Sequence, residues 1–466
     1  METIDGLTLL EPISRELDTT PDEFGRWLKE VQTYSLKFLN GVGDLSAEDR
    51  TYTFDPLCQW SDEPSDFSHL LTELDRNLLT KGMNSVSGRF MSYVPGGGLP
   101  TAAIADFLAA LTNRYSAHYG ACEPAVEIEN SCVGWLRDLV GMPPTTWGVL
   151  TSGGTLGALT ALVAARNTRP ASQWERGVIY ATDQAHHSIP KVLSTIGLGR
   201  TTLRMIPVDS QFRMLPVELE KQIEQDKRDG LSPWILCASA GTTNTGAVDP
   251  LAKLQAISAA NGLWFHVDAA YGGFFLLTKL ANELLGPMRQ ADSVVLDPHK
   301  GLFLPYGTGA ALVKNGKLLK ESFAHHPDYL HDLNGSDHPS PSDFSIEGTR
   351  HFRALRLWLS LKVHGTRRFR AALEEKVLLA RYAFDRLCEM PFMEMGPYPQ
   401  LSCTTFRMKG PDDRTRELLA HINRAGRSYN SSTRLNGRLF LRLCILSFRT
   451  HRAEVDAALD EVARFR

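Results

Sequence analysis

The chain has 466 residues, more than one hydrophobic core can serve, so two or three domains are expected. Its 43% hydrophobic and 22% charged residues are ordinary for a globular protein, and a formal net charge of −3 offers no broad basic field to nucleic acid or to an anionic membrane. None of the seven cysteines forms a CxxC pair, which removes the common zinc and thiol-redox motifs, and an odd count suits a reducing compartment. The acidic N-terminus METIDGLTLLEPISRELD lacks the apolar run of a signal peptide, and no window approaches a membrane span, so the cytoplasm is the expected location.

Residues 1–85 read as helical pieces broken by Pro and Gly. PDEFGRWLKEVQTYSLKFL (21–39) has apolar residues at helical spacing after an N-cap at Thr20 and a Pro at the first position. The run Tyr93-Val94-Pro95-Gly96-Gly97-Gly98 is a breaker, and helices are predicted from Pro100 to about Asn113 and from Val126 to Leu139. From about 147 strands and helices alternate. Strands are expected at 147–151, 177–182, 202–208, 234–240, 263–270, 293–298 and 309–315, with helices at 155–167, 215–228 and 249–261. Apolar strands alternating with helices imply a largely parallel sheet covered on both faces. A helix over 352–365, ending in Gly365, marks the entry to a smaller C-terminal domain. A strand at 438–447 and a helix from about His451 close the chain. The expected domains are a helical N-terminal arm (1–99), a large α/β domain (100–352) and a small α+β domain (353–466).

Asp297-Pro298-His299-Lys300 follows the apolar strand Val294-Val295-Leu296. A lysine there is costly to bury unless its charge is used or lost. One use is a Schiff base with an aldehyde, and a snorkelling lysine is the plain alternative. Asp268, in HVDAAYGG (266–273), ends another apolar strand 32 residues earlier. A carboxylate there suits the pyridine nitrogen of pyridoxal 5′-phosphate (PLP), and small Ala269 and Ala270 leave room for a flat ring. Ser152-Gly153-Gly154-Thr155-Leu156-Gly157, between strand and helix, offers free N–H groups to a phosphate. It is one glycine short of the dinucleotide fingerprint G-x-G-x-x-G and lacks a well-placed acidic residue downstream. His186, in DQAHHS (183–188), can stack on a ring or be structural. The polar turn Ala240–Gly246 sits at a strand's carboxyl end, where open α/β sheets bind ligands.

Together and in this order, these segments resemble the group II PLP-dependent amino-acid decarboxylases, which include the aromatic L-amino-acid, histidine and glutamate enzymes. The resemblance covers roughly residues 88–450 and extends to FRALRLW (352–358). It implies the fold type I, aspartate-aminotransferase-like scaffold, with PLP as cofactor, a small amino acid as substrate and no metal. By resemblance, Lys300 is the Schiff-base lysine, His186 stacks on the ring and touches the substrate carboxylate, and Asp268 partners the pyridine nitrogen. Ala270 packs on the ring's other face, and Gly153, Gly154 and Thr155 cradle the phosphate. Thr243, Asp297 and His299 complete the cofactor shell, while Tyr93 and Pro95 line the substrate pocket.

Within the polar loop Glu321–Ser345, Pro327-Asp328-Tyr329-Leu330 resembles the family's catalytic loop. There Tyr329 protonates the carbanion left after CO₂ departs, where relatives with Phe make aldehydes instead. That loop closes over the partner's site in the family, which implies a homodimer. The loop's His325, His326, His331 and His338 have no metal-ligand spacing and read as solvated. Three departures from the animal aromatic enzymes bear on the substrate: Gly301 after the lysine, Asp297 in place of an Asn, and Gly96-Gly97-Gly98 at the pocket rim. A carboxylate at 297 would repel phosphate unless turned away or paired. Pocket candidates Tyr93, Val94, Tyr115, His118 and Tyr119 suggest an aromatic or medium-sized apolar side chain. Arg442 reads as structural or as a carboxylate partner. The expected reaction is decarboxylation to the amine. Other readings are an aldehyde synthase, transaminase or carbon–carbon lyase on the same fold, a nicotinamide oxidoreductase using Ser152–Gly157, or a non-catalytic binding protein.

Overall fold

The computed structural model describes residues 2–325 and 338–465. The chain separates into two compact units, Met1–Ser87 and Gly88–Arg466. The first holds helices Glu2–Arg15, Pro21–Gly41 and Phe67–Leu74, with the two-residue strands β1 (Glu48–Asp49) and β2 (Gly82–Met83) paired antiparallel. As anticipated, Thr20 caps the second helix: its hydroxyl accepts from the Glu23 N–H at 3.2 Å, and Pro21 gives up no hydrogen bond at the first position. The first helix exposes Ile4, Leu7, Leu10 and Ile13.

The second unit is built on a seven-stranded sheet of β3 (Trp147–Thr151), β4 (Gly177–Ala181), β5 (Thr202–Met205), β6 (Ser232–Ser239), β7 (Trp264–Ala269), β8 (Ser293–Leu296) and β9 (Gly309–Val313). Their spatial order is β3-β9-β8-β7-β6-β4-β5. The pairings β8–β7, β7–β6, β6–β4 and β4–β5 are parallel, and only β9 runs against its neighbours. Helices Gly154–Arg166, Pro216–Arg228 and Leu251–Asn261 fall where the sequence predicted them. Every residue of β4 and β8 is buried, which is why these strands read as continuous apolar runs rather than as alternation. A four-stranded antiparallel sheet follows, β10 (Met393–Met395), β11 (Cys403–Met408), β12 (Ser431–Leu435) and β13 (Arg438–Cys444), in the order β10-β11-β13-β12. Leu379, Leu418, Leu441 and Leu459 join it to helices Ala354–Cys388, Asp412–Ala425 and Arg452–Arg464 in one apolar core.

The helix expected at 352–365 ends at Gly365, where φ 65°, ψ 151° leaves the helical region, and a second helix runs on to Cys388 beyond the kink. Glycine takes that conformation without steric penalty, so the chain turns there. One expectation needs correction: the small sheet has four strands where one is expected, because β10–β12 are short and partly polar. Among the described residues no helix is long and apolar enough to cross a membrane.

β3 lies at the edge of the sheet, and its free backbone groups are covered from outside. Glu129, on helix Glu123–Val140, accepts from the Leu150 N–H at 3.1 Å and from Arg350 Nη1 at 2.6 Å. Arg350 Nη2 in turn donates to the Leu150 carbonyl, so one ion pair caps both polar groups of that residue. Both side chains are essentially without solvent contact. Glu129→Ala would take the nearer carboxylate from a buried guanidinium, leaving it Glu347 at 3.9 Å, and would leave the Leu150 N–H unpaired. The expected loss is about 3–5 kcal/mol, read by denaturant unfolding, with Glu129→Gln losing less because it keeps an acceptor.

Candidate active site

Five loops leave the carboxyl ends of β3, β4, β6, β7 and β8 and meet at one cavity of about 390 Å³. It is lined by Gly153, Gly154, Thr155, His186, Thr243, Asp268, Ala270, Asp297, His299 and Lys300, ten residues singled out from the sequence. Parallel pairing produces this convergence. Asp268 is the penultimate residue of β7, opposite Val295 of β8, and Lys300 lies one turn beyond the end of β8.

The lysine is not left alone in its half-buried position. Its Nζ is 3.0 Å from Asp297 Oδ2. The Asp297 side chain is buried, and its second oxygen, Oδ1, has no hydrogen-bond partner. The carboxylate is thus paired, as its place beside a phosphate turn requires. His299 lies on the same side, with Nε2 3.7 Å from Asp297 Oδ2. Its Nδ1 is 2.7 Å from the Thr308 carbonyl, which can only accept, so Nδ1 carries the proton. Burial holds His299 below the usual histidine range, partly offset by Asp297.

His186 is fixed by a tight local turn. Its Nδ1 accepts from the Ser188 N–H at 3.2 Å and lies 2.8 Å from Ser188 Oγ, which leaves the proton on Nε2. Burial lowers its pKa, while the charge of Asp268 pulls the other way. Asp268 Oδ1 accepts from the Ala270 N–H at 3.1 Å. Beneath the aspartate, buried His266 is pushed down to about 4 by desolvation and is therefore neutral. Its Nδ1 lies 2.8 Å from Ser293 Oγ, which already accepts from Trp264 Nε1 at the same distance.

The glycine turn opens helix Gly154–Arg166, so its first N–H groups face the cavity without intrahelical partners. A Cβ on Gly154 would stand 3.0 Å from Asp297 Oδ2 and 3.2 Å from the Ala270 methyl, so the turn presents backbone only. An amine, a carboxylate, a backbone anion cradle and a slot between an imidazole and a methyl group are together the complement of a phosphorylated pyridine aldehyde. The residues present fit PLP.

Other residues fall differently from expectation. Tyr93 is exposed, Pro95 is buried, and neither lines the cavity. They hold the adjoining wall: Gly96 packs so closely on His299, Lys300 and Phe303 that a Cβ would meet their backbone at 2.7 Å. Tyr93 and Val94 both have left-handed backbone, φ 59° and 60°. His338 stacks on Tyr119 with ring centroids 4.3 Å apart and has Nδ1 3.3 Å from Glu127. Tyr329, His326 and His331 lie outside the described residues. Among the described residues no group of three or more His, Cys, Asp or Glu side chains could hold a metal ion. Ser188, Ser239, Gly241, Thr242 and Tyr271 also line the cavity but were not singled out. Ser188 and Thr242 stood inside segments already marked as polar turns. Arg442 is structural: Nε donates to the Asn244 carbonyl at 3.1 Å and Nη2 to that of Thr243 at 2.5 Å. Nothing in its own strand could have revealed that partner, some 200 residues away.

Comparison with known proteins agrees with this geometry. Residues 55–409 match the family described as the pyridoxal-dependent decarboxylase conserved domain. The chain is similar to the aromatic-L-amino-acid decarboxylase of Bacillus atrophaeus, 33% identical over 401 residues and 84% of each chain. It is also similar to the phenylacetaldehyde synthase of Arabidopsis thaliana, 26% identical over 405 residues, covering 82% of this chain and 83% of that one. In fold it resembles the crystal structure of Oryza sativa TDC with PLP and tryptamine, with a TM-score of 0.90, 22% identity, and coverage of 96% of this chain and 98% of that one. A family match over most of its length, on a cavity built for the cofactor, makes this chain a member of the pyridoxal-dependent decarboxylase family and a PLP-dependent amino-acid decarboxylase.

Proposed function

We propose that the enzyme removes the carboxylate of an L-amino acid with an aromatic or medium-sized apolar side chain, giving the amine and CO₂. The observation that carries this is the meeting of Lys300, Asp268, His186 and the glycine turn around one cavity. PLP, when bound, supplies the sink for the electron pair that CO₂ leaves behind. The rest is the work of the chain. Lys300 provides the amine that holds the cofactor's aldehyde, and Asp297 Oδ2, 3.0 Å away, can take that amine's proton. Asp268 keeps a proton on the ring nitrogen. Neutral His186 and Ala270 hold the ring from its two faces, and His186 Nε2–H is free to meet the substrate carboxylate. Backbone N–H groups of Gly153–Thr155 bind the phosphate. Tyr329 returns a proton to Cα, a role that rests on the resemblance of Pro327–Leu330 to the family loop.

The substrate class is supported by the kinship with the Bacillus enzyme. A homodimer is supported by Ile104, Phe107, Leu108 and Leu111, which project from helix Pro100–Thr112 without cover. The free state of all seven cysteines supports a cytoplasmic location. A second reading, oxidative aldehyde formation, is favoured by the likeness to phenylacetaldehyde synthase.

Four outcomes test this reading. Purified enzyme given a panel of L-amino acids is expected to release CO₂ and amine in equal amounts from an aromatic member, whereas a keto acid as product would point to transamination. Lys300→Ala should abolish the visible absorbance of lysine-bound cofactor, and an unchanged spectrum would remove Lys300 from its role. Asp268→Asn should keep that absorbance yet lose roughly 10²- to 10⁴-fold in rate, the equivalent of a buried ion pair of about 3–5 kcal/mol. Tyr329→Phe separates the two reactions: product should move from amine toward aldehyde and ammonia, with oxygen consumed. Amine as the sole product of that variant would deny Tyr329 its proton.

A further inference from the structure

Behind the cofactor cavity, two thiols face each other across the small sheet. Cys403 of β11 and Cys444 of β13 are register partners, and their Sγ atoms are 3.6 Å apart. The flanking ladder bond runs from the Ile445 N–H to the Ser402 carbonyl, and the Cys444 N–H goes instead to Met91. The pair is therefore a non-hydrogen-bonded one, where opposed Cα atoms lie about 4.5 Å apart. That is inside the span a disulfide bridges. Both cysteines are buried, and neither takes part in the proposed chemistry.

Each thiol is tied to a different wall of the site. Cys403 Sγ lies 3.9 Å from the Asn244 carbonyl, in the turn that brings Thr242 and Thr243 to the cavity. Cys444 Sγ accepts the N–H of Tyr93, in the left-handed turn that leads to Gly96 and the Lys300 loop. Arg442 bonds Cys403 and, through the Thr243 and Asn244 carbonyls, the same turn.

We propose that Cys403 and Cys444 form an oxidisable dithiol that couples hydroperoxide to cofactor retention. The hydrogen bond from Cys403 and the charge of Arg442 lower the Cys444 thiol, making it the thiolate partner, while Cys403 is raised. The Cys444 thiolate attacks a peroxide oxygen: an S–O bond forms, the O–O bond breaks, and hydroxide leaves to be protonated to water. The Cys403 sulfur then attacks Cys444, the S–S bond forms, and the hydroxyl leaves with the Cys403 proton as a second water. Two thiols and one hydrogen peroxide give one disulfide and two waters. Bonding draws the sulfurs from 3.6 Å to about 2 Å and shifts the Cys403 sulfur that packs 3.9 Å from the Asn244 carbonyl. Both walls must shift, and the turn bearing Thr243 loosens its hold on the cofactor.

The disulfide is independent of the proposed role of Lys300, and only its effect on the cofactor rests on that reading. The test treats holoenzyme with hydrogen peroxide, blocks residual thiols, and maps a non-reduced digest by mass spectrometry while following retained PLP by absorbance during dialysis. The expected result is a peptide joining Cys403 to Cys444, formed in step with a several-fold faster loss of PLP. A dithiol reductant should reverse both, and Cys403→Ser should show neither. Oxidation confined to exposed Cys58 and Cys388 would overturn the proposal, as would the cross-link with PLP retained as before. The mapping on the unaltered chain decides the matter even if the serine variant fails to fold. Failure of the site reading would show separately, as untreated protein without lysine-bound cofactor.

Discussion

Parallel pairing is the constraint on which the arrangement depends. Strands β8, β7, β6 and β4 hydrogen-bond side by side in one direction, so each must be left and re-entered through a crossover. All of their carboxyl ends then open on one side of the sheet, and short polar loops collect there. No loop is long enough to build the cavity by itself. Asp268, Lys300, His186 and the Thr243 turn are neighbours because the backbone ladder makes them so.

Having gathered polar groups at a sheet edge, the fold must keep their charges in company. Lys300 rests on Asp297, and the Arg350 guanidinium on Glu129. Arg442 spends its donors on two carbonyls of a turn. Histidines at the same depth are handled the other way: desolvation leaves His186, His266 and His299 neutral. Among the described residues the cavity thus has one reactive cation, on half-buried Lys300, with the carboxylate of Asp297 beside it and that of Asp268 across the cavity. A site of that kind offers an amine to an aldehyde, a carboxylate to a ring nitrogen and uncharged backbone to a phosphate.

The site was legible where chemistry forced unusual residues into apolar strands. Lys300 and Asp268 are conspicuous because charge at the end of a fully buried strand needs a reason. Gly153 and Gly154 are conspicuous because backbone must approach a ligand. The resemblance to the decarboxylases then joined these fragments. What could not be read depends on long-range packing. Tyr93 and Pro95 sit in the wall rather than the lining, since Gly96 carries the contact with the lysine loop. The edge cap of Glu129 and Arg350 joins residues more than 200 positions apart. Gly365 is legible as the end of a helix, whereas the second helix that resumes beyond it is not. The short strands β10–β12 carry no strong alternation and earn their place from neighbours.

The antiparallel placement of β9 affects how the chain is made. Among the described residues β3 has β9 as its only sheet partner, and Thr151 and its partner Gly309 lie 158 positions apart. On the ribosome, an apolar strand therefore waits unpaired while β4 to β8 emerge. The glycine turn at its end hangs on that unfinished edge. The clasp at Arg350 comes later still, and Arg442 last of all. The walls of the cavity are thereby completed only after β4 to β9, Arg350 and Arg442 have all emerged.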